Sequence, residues 1–273
     1  MELGAFVILD MNNLEEKFKD LVEIGLHTCQ LQCPDATEYT KENADKIMEL
    51  ADKYKVKITA LWCGAALVGP CVWDPFEGPN TVGLVPMAYR QTRMDNLMKC
   101  SDFAKLMGIT DIITHLGFIP ENPSSTEFQS LASAVKHVAN YFNRNGQFFL
   151  FETGQETPIT LRRLIETVNT GNLGINLDPA NLITYGKGNP VDALTVFGEF
   201  VRGVHAKDGN YPTRGDSNGE ETPLGQGTVD FPRLIEKLKS VGYDGALTIE
   251  REITGEKQRA DIIMAKGILE KLI

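Results

Sequence analysis

Eight short apolar runs, separated by amphipathic stretches, recur along the 273 residues of this chain. They lie at about Leu3–Leu9, Thr28–Leu31, Val56–Trp62, Asp111–Thr114, Gln147–Phe151, Leu173–Leu177, Val201–His205 and Ala246–Ile249. Apolar runs of this length read as strands covered on both faces, the condition of a parallel sheet. The stretches between them have helical spacing. Leu131, Val135, Val138 and Phe142 share one face, as do Leu161, Leu164, Ile165 and Val168, and Phe231, Leu234, Ile235 and Leu238. Start signals agree: Ser124 with Glu127 has capping-box spacing, and Thr157-Pro158 and Asn189-Pro190 each set a cap residue before a first-turn proline. The last helix is expected from about Glu256 to Leu272. Eight strand-helix units fit a single α/β domain spanning residues 1–273, a closed (β/α)8 barrel of the TIM type, which typically takes about 250 residues. The rival architecture, an open doubly wound sheet, would show a Gly-rich fingerprint after the first strand, and none is there.

Four of the runs close on a residue able to bind a metal: Glu152, Asp178, His205 and Glu250. The last side chains of barrel strands converge on the C-terminal mouth, where barrel enzymes keep their sites. Consecutive strands five to eight therefore bring three carboxylates and one imidazole to one opening. Such a set suits one divalent ion, Mn²⁺ first, with Mg²⁺ or Co²⁺ as alternatives. Zn²⁺ remains an option, although it usually takes more nitrogen or sulfur. His115 ends the fourth strand, Asn181 follows Asp178, and Lys207 alternates with Ala206 on the side of His205. These three are candidate substrate contacts. A rim histidine, a cap and a solvated lysine are the plainer alternatives. Two long connections, about Cys63–Tyr89 and Gly209–Val229, follow strands three and seven and are candidate lids or substrate walls. Glu156 and Arg214, in loops over the mouth, complete the candidate substrate contacts.

Net charge is −10, which disfavours nucleic acid or an anionic membrane surface as a partner. Five cysteines, an odd number, argue against a disulfide framework and for a reducing, cytoplasmic setting. The N-terminus carries Glu2 and Asp10 and no basic stretch, so no signal peptide is expected. The longest uncharged run, Ile58–Trp73, is interrupted by Gly64, Gly69 and Pro70 and falls short of the ~20 apolar residues a membrane span needs.

The chain resembles, essentially end to end, the xylose isomerase-like barrel superfamily of sugar and sugar phosphate isomerases and epimerases. The matching segments are Phe151-Glu152-Thr153, Asn176–Asn181, Val204–Gly209, Leu224–Phe231 and Gly242–Glu250. The resemblance implies a divalent metal held by Glu152, Asp178, His205 and Glu250. As in the ketose 3-epimerases of the superfamily, it implies that Glu152 and Glu250 act as acid and base on opposite faces of a metal-stabilised enediolate. Epimerases carry a histidine near the position of Asn181 and an arginine near Tyr211; here the nearest arginine is Arg214. Trp62 and Cys63 stand where the endonuclease branch supplies a histidine, and Asn181 where it has another, so the resemblance does not extend to DNA repair. The expected substrate is a small sugar or sugar phosphate, with a homodimer or homotetramer left open. The superfamily also holds keto-inositol and dehydroshikimate dehydratases, so loss of water after the same proton abstraction is the alternative chemistry. A non-catalytic sugar-binding barrel is the third reading.

Overall fold

The computed structural model describes all residues, 1–273. Eight parallel strands form a closed barrel: β1 (Glu2–Ile8), β2 (Thr28–Gln32), β3 (Lys57–Trp62), β4 (Asp111–Thr114), β5 (Phe148–Glu152), β6 (Leu173–Leu177), β7 (Val201–Ala206) and β8 (Ala246–Ile249). The ring closes where β1 pairs with β8, from Glu2 opposite Ala246 to Ala5 opposite Ile249. All eight lie within the apolar runs or a residue beyond them, and the chain is a TIM barrel, as the alternation predicts.

The runs are apolar in two senses. One set of alternating residues, including Leu31, Ile175, Leu177, Val204 and Leu247, packs outward against Phe18, Ile47, Leu97, Phe128, Leu161 and Leu234 of the helical layer. The other set points into the barrel, because side chains alternate along a strand. Inside, Ala60, Trp62, Ile113 and Leu150 form a small separate cluster with Phe6 against it. The rest of the interior is polar: Gln30, Asn176, His205 and Thr248 are all buried.

Helix starts follow local chemistry. Thr157 accepts from the Thr160 amide, and Asn189 from Val191 and Asp192, each ahead of a proline. The N-cap of the fourth long helix, Thr126–Arg144, lies one residue later than the expected capping box. Ser125, not Ser124, accepts from the Phe128 amide, because Ser124 is engaged one turn earlier with Asn122. The last helix runs Glu256–Leu269 and stops short of the expected Leu272.

Both long connections are more ordered than their composition predicts. The one after β3 contains short helical turns at Gly64–Leu67 and Gly78–Thr81, and the next helix, Met87–Leu106, starts inside its expected span. That helix sends Arg93 beneath the connection. The Arg93 guanidinium, fully buried, donates to the carbonyls of Val68, Pro70, Thr81 and Gly83. The connection after β7 holds a two-residue hairpin, Asp208–Gly209 with Glu221–Thr222. The two connections meet over the mouth, where Asn218 Nδ2 donates to the Trp73 carbonyl at 2.7 Å. No helix is long and apolar enough to cross a membrane.

Candidate metal centre

Glu152 ends β5, Asp178 and Glu250 directly follow β6 and β8, and His205 is the penultimate residue of β7. Each shares the inward phase of its strand: Leu150 and Glu152, Gly174, Asn176 and Asp178, Gly203 and His205, Thr248 and Glu250. One ligand atom from each of the four lies within 4.8 Å of all the others. Around a six-coordinate ion with ligands at about 2.1 Å, neighbouring donors stand about 3 Å apart and opposite ones about 4.2 Å. The four donors, at most 4.8 Å apart, are close to that size.

The donor atoms themselves show that the set fits a cation. Asp178 Oδ2, His205 Nδ1 and Glu250 Oε2 are buried and have no hydrogen-bond partner. His205 Nδ1 lies 2.8 Å from Glu250 Oε2, 3.2 Å from Glu152 Oε1 and 3.7 Å from Asp178 Oδ2. Buried acceptors that lack a hydrogen bond cost about 1–3 kcal/mol each, the Lys207 ammonium at 3.4 Å offsets this only in part, and a divalent cation would remove the rest. The imidazole is oriented for the purpose. Gln30 Nε2 donates to Asn176 Oδ1 at 2.9 Å, which turns Gln30 Oε1 toward His205 Nε2 at 2.7 Å. Nε2 therefore carries the proton of the neutral ring, and Nδ1 presents its lone pair to the carboxylates. Gly203 makes this possible, since a Cβ there would stand 2.3 Å from Asn176 Oδ1.

Electrostatics point the same way. Burial alone would push the His205 pKa down. The carboxylates of Glu250, Glu152 and Asp178 outweigh it and hold the ring protonated well above the usual histidine range. Burial would likewise raise the Glu152 carboxyl, yet the charges of His115, His205 and Lys207 hold it well below the usual carboxylate range. A site that attracts a proton this strongly also attracts a divalent cation.

The Glu152 carboxylate is divided between two environments. Oε1 joins the donor cluster, with Asn181 Nδ2 at 3.4 Å. Oε2 accepts from the Trp62 indole N–H and lies 3.6 Å from His115 Nε2. Lys207 is buried, 3.4 Å from both Asp178 Oδ2 and Glu250 Oε2, and also pairs with Glu252. His115, Asn181 and Lys207, with both glutamates, line a cavity of about 800 Å³ at the mouth. Glu156 is buried behind that wall and does not line it; burial pushes its carboxyl up to about 8. Arg214 is not brought to the site. Its guanidinium is exposed and paired with Asp216 two residues away.

Sequence reasoning missed several residues that shape the cavity. Trp62 holds Glu152, and Trp73 packs edge-on against His115 at 5.0 Å. Gln155 and Tyr185 form a polar wall. The only sequence signal for them was position, at strand ends or in the long connection. Gln30 and Asn176 sit inside apolar runs, and only Asn176 falls in a segment that carries the family resemblance.

Residues 18–267 match the family described as xylose isomerase-like TIM barrel. A xylose isomerase domain protein from Planctomyces limnophilus, of known structure, is 34% identical, with 99% of this chain and 96% of that chain covered and a TM-score of 0.92. The structure of a D-tagatose 3-epimerase-like protein covers 100% of this chain and 97% of its own at a TM-score of 0.74 and 23% identity. Inosose dehydratase of Lacticaseibacillus casei is 23% identical over 145 residues, 46% of this chain and 47% of that protein. With the family matched across most of its length and its strand-end acids gathered around one histidine, this chain belongs to the xylose isomerase-like TIM barrel family.

Proposed function

We propose that this protein is a divalent-metal-dependent carbohydrate isomerase or epimerase that moves a proton on the carbon beside a ketose carbonyl. The observation that carries the reading is the disposition of Glu152 and Glu250. They come from non-adjacent strands, both face the cavity, and Asp178 and His205 lie between them. Glu152 also divides its two oxygens between separate surroundings. Oε1 sits in the donor cluster while Oε2 is turned away toward Trp62 and His115.

Glu152, Asp178, His205 and Glu250 would hold the ion, with Mn²⁺ preferred and Mg²⁺ or Co²⁺ suited to the same donors. When bound, the ion supplies Lewis-acid stabilisation for negative charge developing on a carbonyl oxygen. Glu152 Oε2 takes the proton from the α-carbon. The C–H electron pair becomes the new C=C bond and the carbonyl π pair moves onto oxygen, giving an enediolate. Glu250, in its protonated form, returns a proton from the opposite face. Return to the same carbon gives the epimer; return to the former carbonyl carbon, with the α-hydroxyl proton passing to the former carbonyl oxygen, gives the isomer. Each proton-transfer role is typically worth 10²–10⁴-fold. The Trp62 N–H and His115 would orient the Glu152 carboxylate, and Asn181 and Lys207, which border the cavity, would contact substrate oxygens.

The dehydratase relative favours a second reading with the same first step. There the enediolate expels a β-hydroxyl, which needs a proton donor, and the buried Lys207 ammonium beside Glu250 is placed to serve. One experiment separates the two. The metal-loaded protein is incubated in D₂O with a panel of ketoses and keto-polyols, and products are read by mass spectrometry. Epimerisation or isomerisation incorporates one deuteron with no loss of mass; dehydration removes one water. No deuterium uptake and no product with any of them would overturn both.

A further inference from the structure

Building on the proton-transfer reading, we infer that the site takes an uncharged ketose or keto-polyol and excludes its phosphate ester. In barrel enzymes of this architecture, phosphate is frequently held by the loops after strands seven and eight. Successive backbone N–H groups there form a concave anion site. The loop after β7 has such a concavity, in the Gly-rich segment Leu224–Val229, but the protein has filled it. Asp208, 1% exposed, accepts from Gly209 and Val229 through Oδ1 at 2.8 and 3.1 Å, and from Gly225 and Gly227 through Oδ2 at 2.9 and 3.0 Å. All four amide donors that could cradle a phosphate are spent on a resident carboxylate. The fit is close, since a Cβ on Gly227 would stand 2.2 Å from Asp208 Oδ1. After β8 the helix Glu256–Leu269 leaves its first-turn amides without a side-chain cap, but it sets the acidic Glu256 in that turn, and this carboxylate competes with an anion for the same end.

The side-chain cations around the cavity are also engaged. Lys207 pairs with Asp178, Glu250 and Glu252. Arg251 pairs with Glu221 and Asp261, and Arg259 with Asp20. Lys17, at the outer rim, donates to the Ile8 carbonyl at 2.7 Å. At the centre four carboxylates, Glu152, Asp178, Glu250 and Glu252, meet one ammonium, so a divalent cation still leaves a net negative charge. A phosphate dianion entering this field finds the amides of the β7 loop and the ion-paired Lys207, Arg251 and Arg259 already committed, which leaves little to offset its desolvation. Hydroxyl groups face no such penalty. They can use the buried Gln155 amide, whose Nε2 and Oε1 lack hydrogen-bond partners and which lines the cavity.

The test is calorimetric titration of the Mg²⁺-loaded protein with matched pairs: D-fructose and D-fructose 6-phosphate, D-xylulose and D-xylulose 5-phosphate, D-ribulose and D-ribulose 5-phosphate. The free member of each pair should bind at least about 10-fold tighter than its ester. Glu252→Gln, at an exposed carboxylate, removes one negative charge and one of the three carboxylates paired with Lys207, and should move that ratio toward the ester by about 10-fold. An ester that binds as tightly as its free partner, or a ratio unmoved by Glu252→Gln, overturns the inference. Deuterium exchange is read on the same complexes. A free ketose that binds but does not exchange counts against the proton-transfer reading and leaves the substrate class standing.

Discussion

His205 shows how a single residue is made into a ligand. Its ring sits in a wholly buried position, where an imidazole flanked by three carboxylates could otherwise turn either nitrogen toward them. The Asn176–Gln30–His205 relay fixes which nitrogen faces them. Gln30→Leu removes the acceptor at Nε2 and should weaken metal affinity about 10–100-fold with the fold intact. Competition against a chromogenic chelator measures it, and a change below 2-fold would show that the relay does not orient the ligand. This relay is illegible in sequence because Gln30 and Asn176 are 146 residues apart and each sits in an apolar run. The four strand-end residues, by contrast, are legible because a charge closing a buried strand has no packing role to explain it. Glu156, a candidate substrate contact by sequence, lies buried outside the cavity lining, and burial pushes its carboxyl up to about 8. An acid whose folded pKa is raised stabilises the native state below its unfolded value near 4.5 and loses that contribution as pH rises through 8. Glu156→Gln should therefore stabilise the protein little at pH 5 and by up to about 4 kcal/mol at pH 9. Urea denaturation at the two pH values checks this, and an equal effect at both would refute it.

At the scale of elements, the barrel strands are legible because both of their faces are covered, so length and apolarity identify them. The connections are not, because their order comes from partners distant in sequence. The hairpin at Asp208–Gly209 has two residues per strand and no apolar pattern; it is held by the Asp208 carboxylate gathering amides from residues 225–229. The connection after β3 is shaped by Arg93, a residue of the following helix. Arg93→Leu leaves the carbonyls of Val68, Pro70, Thr81 and Gly83 without their donor, and unmade buried hydrogen bonds cost about 1–3 kcal/mol each. Stability should fall by at least about 3 kcal/mol, and limited proteolysis should cut first between residues 68 and 83. Cleavage elsewhere, or a loss below 1 kcal/mol, would contradict the anchoring role. Arg214 was expected near the substrate, as the arginine closest to Tyr211. Its pairing with Asp216 explains why proximity in sequence did not place it there.

Considered whole, the barrel holds a concentration of negative charge at its mouth that only a proton or a cation balances. In the metal-free protein that role falls to His205, whose pKa is raised. Its stabilising contribution is fully present below the unfolded value near 6.5 and is lost as pH rises through the folded value. A bound divalent ion replaces the proton, so the rise in Tm on adding Mg²⁺ should be small at pH 6 and grow steadily to pH 9. A rise that shrinks with pH would mean the ion binds elsewhere. The division of labour among the four ligands is tested most directly by solvent deuterium exchange at the substrate α-carbon, measured with metal-loaded wild type, Glu152→Gln and Glu250→Gln. We predict that both variants keep the fold and one bound ion yet lose exchange by at least about 10²-fold. A variant that retains its metal and exchanges at the wild-type rate would contradict the two-glutamate mechanism.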